Sequence, residues 1–191
     1  PGMIISALRS LAAMQTGRGG FAMWPGGATD SPWGSVYAAH FLLEAGDAGY
    51  AVDETMRERA LDFVSGLAKV RPGGETDERR TAVYALFVQA RAGRADLGSM
   101  DFVRASLLAS LGDDERALLA AAYVMAGQGG DVGALLGYSP EARPPARETG
   151  GTFDSPLRRL AITILGFEQA APNDPRLAGM IDTLSRELSA A

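Results

Sequence analysis

His40 and Glu44 stand one helical turn apart. At that spacing an imidazole and a carboxylate on one helix face can exchange a proton or hold half of a metal site. Either chemistry needs a third member, and the sequence offers no nucleophile or further ligand to complete it. The reading the surroundings favour is a satisfied polar pair on a largely apolar helix. Asp113, Asp114 and Glu115 have the residue types for acid catalysis or cation binding. Their place just ahead of an apolar run reads more simply as a helix start, with acids at the positive end of the dipole. The run ETDERR over 75–80 reads as a solvated helix start. Tyr37, Tyr84 and Tyr123 each fall on an apolar helix, where packing is the expected role.

The most distinctive stretch is 15–33, QTGRGGFAMWPGGATDSPW. Its glycines permit tight turns, and Phe21 and Trp24 follow as aromatic anchors. The structural reading is a packed turn between an outer and an inner helix, with Gln15 bonded to loop backbone or a helix end. The functional reading is an aromatic rim for a ligand. No strand precedes the glycines and the lysine of a phosphate-binding loop is missing, so a phosphate cradle is not expected.

These residues need elements to hold them, and the pattern of those elements is regular. The runs 35–45, 81–90, 117–126 and 157–167 are apolar on nearly every side. Between and around them, 57–69, 101–111 and 176–188 carry a single apolar stripe. A helix apolar all round must be buried all round, whereas a striped helix keeps one face in water. The alternation therefore predicts two layers of helices, an inner one wrapped by an outer one. An α/α toroid and an open solenoid both give that pattern. The absence of a repeat consensus and the need to cover four inner helices favour the toroid. Trp33, Tyr37, Phe41, Ala82, Leu86, Ala121 and Ile162 are expected to be buried.

Helix starts are expected at Ser31-Pro32, at Asp53 and at Asp154-Ser155-Pro156, and stops at Gly46, Gly93, Gly112 and Gly127. Arg71-Pro72-Gly73-Gly74 and the stretch 138–151 read as loops. No alternating strand pattern of useful length appears.

The bulk composition excludes several function classes. With no cysteine, the chain holds no disulfide, thiol nucleophile or thiolate metal site. A single histidine argues against a His-built zinc site. A net charge of −5, with no basic run longer than two residues, argues against nucleic acid and anionic membranes. No stretch of 18 uninterrupted apolar residues exists, so no direct membrane insertion is expected. No catalytic, cofactor-binding or metal-binding residues are assigned. The chain opens at Pro1-Gly2 without a signal peptide, and it begins and ends within helical pattern, as a piece of a longer polypeptide would.

The stretch 14–52 carries a more specific signal. Its order Gln15, Gly19-Gly20-Phe21, Trp24, then WGSVYAAHFLLEA and GYAV resembles the thioester-containing domain of bacterial alpha-2-macroglobulins. The later FDSPLRRLAITILGFEQAAPNDP resembles that family's late inner helix and following turn. The resemblance implies an all-α, two-layer α/α toroid over 1–191, lacking its first, motif-bearing helices and its closing helices. It implies a non-catalytic module of a protein that traps proteases in the cell envelope. The partners it implies are neighbouring β-sandwich domains of the parent chain and, through the parent, target proteases. Localisation would be periplasmic or envelope, with a lipid anchor on the parent as a further expectation.

Some members of that family hold an internal Cys–Gln thioester. This chain departs from them: it has no Cys-x-x-Gln, and no histidine lies over 71–80, where an activating one is expected. Two other readings compete. One is an α/α-toroid enzyme, such as a terpene cyclase or polysaccharide lyase. It is weakened because the adjacent acids Asp113 and Asp114 start a helix and one mid-helix histidine makes no lyase constellation. The other is a helical interaction scaffold.

Overall fold

In the computed structural model, residues 2–69, 75–137 and 151–190 are described. The predicted loop 71–74 and all but the last residue of 138–151 lie outside them. The described residues form eight α-helices: α1 (Gly2–Met14), α2 (Pro32–Asp47), α3 (Glu54–Leu67), α4 (Thr76–Arg91), α5 (Leu97–Leu107), α6 (Asp113–Met125), α7 (Pro156–Ala170) and α8 (Arg176–Ala190). Short 3₁₀ turns follow α5 and α6, and no strand occurs among the described residues.

The two-layer expectation holds. Successively packed α2, α4, α6 and α7 form the inner row, and α1, α3, α5 and α8 lie outside it. Ten consecutive residues of α4, 81–90, are buried, as are 117–123 of α6. Burial on every side follows from all-round apolarity, since no face of such a helix gains from water. The tightest crossing is α6 on α7. There Gly166 sits so close to Ala117 that an added Cβ would lie 2.5 Å from its carbonyl carbon.

The starts fall where capping residues stand. The Ser31 hydroxyl accepts from the Gly34 amide at 3.2 Å with Pro32 in the first turn. Asp53 accepts from Met56 at 2.8 Å and Ser155 from Arg158 at 3.2 Å. Glu115 reaches back to accept from the Gly112 amide at 2.9 Å. Two expected stops are corrected. Gly46 lies inside α2, and the turn after that helix uses the positive-φ Gly49. Gly112 precedes α6 as its N-cap rather than ending α5. Gly93 and Gly127 do terminate helices, at φ 75° and 73°.

Trp33, Ala82, Leu86, Ala121 and Ile162 are buried as expected. Tyr37 is not: it is 62% exposed, and Phe41, one turn on, is half-buried. The reason is positional. α2 stands at the end of the inner row, packed on α4 to one side, so the face bearing Tyr37 is left uncovered.

Candidate functional site

The glycine turn is a tight structural knot. Gln15 Nε2 donates to the Gly19 carbonyl at 3.2 Å and to the Met56 carbonyl at 2.9 Å, tying the end of α1 to the first turn of α3. Arg59 Nη2 donates to the Thr16 carbonyl at 2.8 Å, and the Thr16 hydroxyl donates to Asp30 at 2.6 Å. The Phe21 amide donates to the Ser35 hydroxyl at 2.8 Å. Gly19 is obligatory on two counts: its φ is +94°, and a Cβ would lie 2.4 Å from the Arg59 carbonyl oxygen. Phe21 is 2% exposed and anchors the turn as expected. Trp24 does not. It is 75% exposed, beside the 47% exposed Met23, because the chain turns outward after Ala22.

His40 is built into the α2–α4 packing. Its Nδ1 lies 2.8 Å from the Tyr84 hydroxyl, and the ring meets Tyr84 and Phe87 edge-on. Nε2 is 3.5 Å from Glu44. Burial pushes the imidazole below its usual range. Glu44 opposes that shift and the Arg91 charge adds to it. Glu44 is itself drawn to Arg91, the last residue of α4, which also pairs with Asp47. The pair is therefore engaged as a structural clasp between two helices. No group of three or more potential metal ligands occurs among the described residues.

The largest concentration of buried charge was not visible as a unit in sequence. It sits where the N-termini of the inner helices converge. Arg79, in the first turn of α4, donates to both oxygens of Glu115 in the first turn of α6, at 3.0 and 3.3 Å. Arg80 reaches Asp154 at 3.0 Å. Asp154 also receives Arg158 at 2.9 Å and a forked contact from Arg159. The run 75–80 is thus corrected: Asp77 and Glu78 open the helix as expected, but the Arg79 and Arg80 side chains are only 18% and 11% exposed.

Burial by itself would raise the Asp154 carboxyl. Hydrogen bonds from Arg159 and Arg158 and the charge of Arg80 outweigh it and hold the group at about 2. Asp114, beside it on α6, is raised by burial and by the Glu115 charge. The convergence also fixes the direction of the inner row. All four inner helices start at this mouth, so they run parallel. At the same mouth the Arg158 guanidinium stacks 4.6 Å above Trp33 of α2. The signal in the sequence was the pair Arg79-Arg80 and the pair Arg158-Arg159. Each opens an otherwise apolar helix, where a buried cation requires a carboxylate partner.

Next to this network is a cavity of about 430 Å³, with Trp33, Lys69, Asp77, Arg79, Thr81 and Thr152 in its wall. Among the described residues its wall combines apolar side chains such as Trp33 and Leu67 with the charged Lys69, Asp77 and Arg79. The geometry organises and braces the helices.

No family model matches the chain. Individual proteins do. The alpha-2-macroglobulin of Xylella fastidiosa (strain Temecula1) is 30% identical over 205 residues, which cover 96% of this chain and 12% of that protein. Two solved structures share the fold. Native Escherichia coli alpha-2-macroglobulin from domain MG7 to the C-terminus superposes with TM-score 0.77 at 21% identity. The match covers 95% of this chain and 30% of that one. The trypsin-activated E. coli protein gives 0.75 at 20%, covering 94% and 13%. The chain thus spans about an eighth of the relatives' full length and corresponds, in sequence and in fold, to the all-helical toroid region of the alpha-2-macroglobulin family.

Proposed function

We propose that this chain is a non-catalytic module of an alpha-2-macroglobulin-like protein that traps proteases in the cell envelope. The observation that carries the reading is the match along nearly the whole chain to alpha-2-macroglobulins, one of them solved in a trypsin-activated form. The site geometry supports it. His40 is held by Tyr84 and Glu44, and the charged mouth is an internally paired brace.

On this reading the module has no independent inhibitory activity. Covalent capture through a thioester requires a cysteine, and the chain has none. Trapping requires a cleavable segment and a body that closes around the protease, which neighbouring domains of the parent would supply. The partners are those domains and, through them, the proteases; the location is the periplasm or envelope, with a lipid anchor on the parent.

The test compares residual protease activity on a large protein and on a small peptide. The full-length parent should suppress hydrolysis of the large substrate and spare the small one, because a cage blocks access and leaves the active site intact. The 191-residue chain should suppress neither. Suppression of both substrates by the chain alone would make it an active-site inhibitor. Failure of the parent to protect the large substrate would leave the helical-scaffold reading in its place.

A further inference from the structure

His40 is a titratable ring enclosed between two helices with one nitrogen left over. The residue is 9% exposed. Its Nδ1 is taken by the Tyr84 hydroxyl at 2.8 Å, while Nε2 is buried and makes no hydrogen bond. What Nε2 faces is Glu44 Oε1, at 3.5 Å. That same oxygen accepts from Arg91 Nε at 3.2 Å. One carboxylate oxygen is thus within reach of two nitrogens, one on its own helix and one on α4. The other charged and titratable groups here are already engaged. Asp47 of α2 pairs with Arg91. Tyr37 of α2 and Arg158 of α7 act electrostatically on Tyr84. From α3, which also packs on α2, Arg57 approaches the Gly46 position and is paired with Glu54.

The two nitrogens have unequal alternatives. While His40 is neutral, its free Nε2 costs one unmade hydrogen bond, and Arg91 offers Glu44 a full charge. Arg91 therefore holds Glu44, and the pair ties the end of α4 to the last turns of α2. A proton on the ring reverses the order. Both ring nitrogens then donate, so the Tyr84 hydroxyl has to accept at Nδ1 and Nε2 needs an acceptor of its own. An enclosed imidazolium without a carboxylate is strongly unfavourable. Arg91 has less to lose, because it is partly in water and keeps Asp47. Glu44 is half in water and one turn from His40, so its side chain can swing to the ring without a backbone shift. We propose that the α2–α4 seam is an acid-sensitive clasp: when His40 takes up a proton from water, Glu44 leaves Arg91 for His40 Nε2, and a tie between helices becomes a tie within α2.

The readout is the Arg91 Nε proton, followed by NMR in the 191-residue chain alongside the imidazole. Its exchange with water is compared at each pH with that in Glu44→Ala, which removes the acceptor at a half-exposed helical site. Above the imidazole midpoint the original chain should exchange about threefold more slowly or better, because Nε is hydrogen-bonded. Below the midpoint the two rates should converge. In His40→Gln the protection should persist on both sides. The imidazole midpoint itself should fall in Glu44→Ala, since the ring loses its carboxylate. Protection of Arg91 that survives protonation of His40 would overturn the proposal, because Glu44 would then bridge both cations. So would an unchanged midpoint in Glu44→Ala, or an imidazole that takes no proton before the helices melt. None of these outcomes bears on the protease assay above, so the two readings fail separately.

Discussion

Gly166 of α7 crosses α6 over Ala117 with no room for a side chain: a Cβ would stand 2.5 Å from the Ala117 carbonyl carbon and 2.6 Å from its Cβ. Both neighbours are fixed, one as helix backbone and one as a fully buried methyl group. Gly166→Ala must therefore push the two helices apart along the most extensive interface of the inner row. The helix-propensity gain of alanine, about 1 kcal/mol, works in the opposite direction. Overpacking of this kind costs typically 1–3 kcal/mol, and more where backbone must move. The expected result is a net destabilisation in urea melts. A Gly166→Ala protein as stable as the original would show that the helices do not approach this closely.

The glycine turn separates its two aromatics. Phe21→Ala should cost about 3–5 kcal/mol, the range for emptying a buried aromatic site. Trp24→Ala should change stability by less than about 0.5 kcal/mol, because the indole is mostly in water. Paired denaturation curves check both. A large loss at Trp24 would place that ring in a packed site.

Asp154 binds three arginines from two helices and is held at about 2, against 3.8 for a free aspartate. The folded carboxyl releases its proton more readily than the unfolded one. Its contribution is therefore complete above about pH 4 and is lost as the pH falls through about 2. Asp154→Asn should cost roughly 3 kcal/mol at neutral pH, since it removes the shared anion of Arg158 and Arg159 and leaves Arg80 with the longer 3.7 Å contact to Asp77. The gap between the two proteins should then narrow below pH 4. A gap independent of pH would mean that packing, not charge, is what the substitution removes.

His40 is the chain's single histidine, so an imidazole titration has one owner. Burial lowers its pKa below 6.5, and the folded state takes up the proton less readily than the unfolded chain. Stability should be full above about pH 6.5 and decline as the pH falls below it. That decline should be absent in His40→Gln. Tyr84→Phe should cost about 1–3 kcal/mol by leaving Nδ1 buried without a partner. Proton NMR of the imidazole across pH 4–8 gives the direction independently; a midpoint above 6.5 would contradict it.

What was legible in the sequence is what depends on one helix at a time. All-round apolarity marked α4 and α6 as inner helices, and Ser31, Asp53 and Ser155 marked the starts of α2, α3 and α7, because capping and burial are local consequences of residue type. The family match was legible for the same reason: the order of Gln15, the glycines, Phe21 and the α2 pattern is a property of the chain. Tertiary structure alone decided whatever depends on a neighbour. Tyr37 and Trp24 are as apolar as Trp33 and Phe21, yet they lie exposed, because hydrophobicity says that a residue gains from cover and not whether a helix stands there to give it. Arg79 and Arg80 read as surface charges until α6 and the segment before α7 bring Glu115 and Asp154 to them from 36 and 74 positions away. Buried charge is a statement about pairs, and the partners of a pair are chosen by the fold.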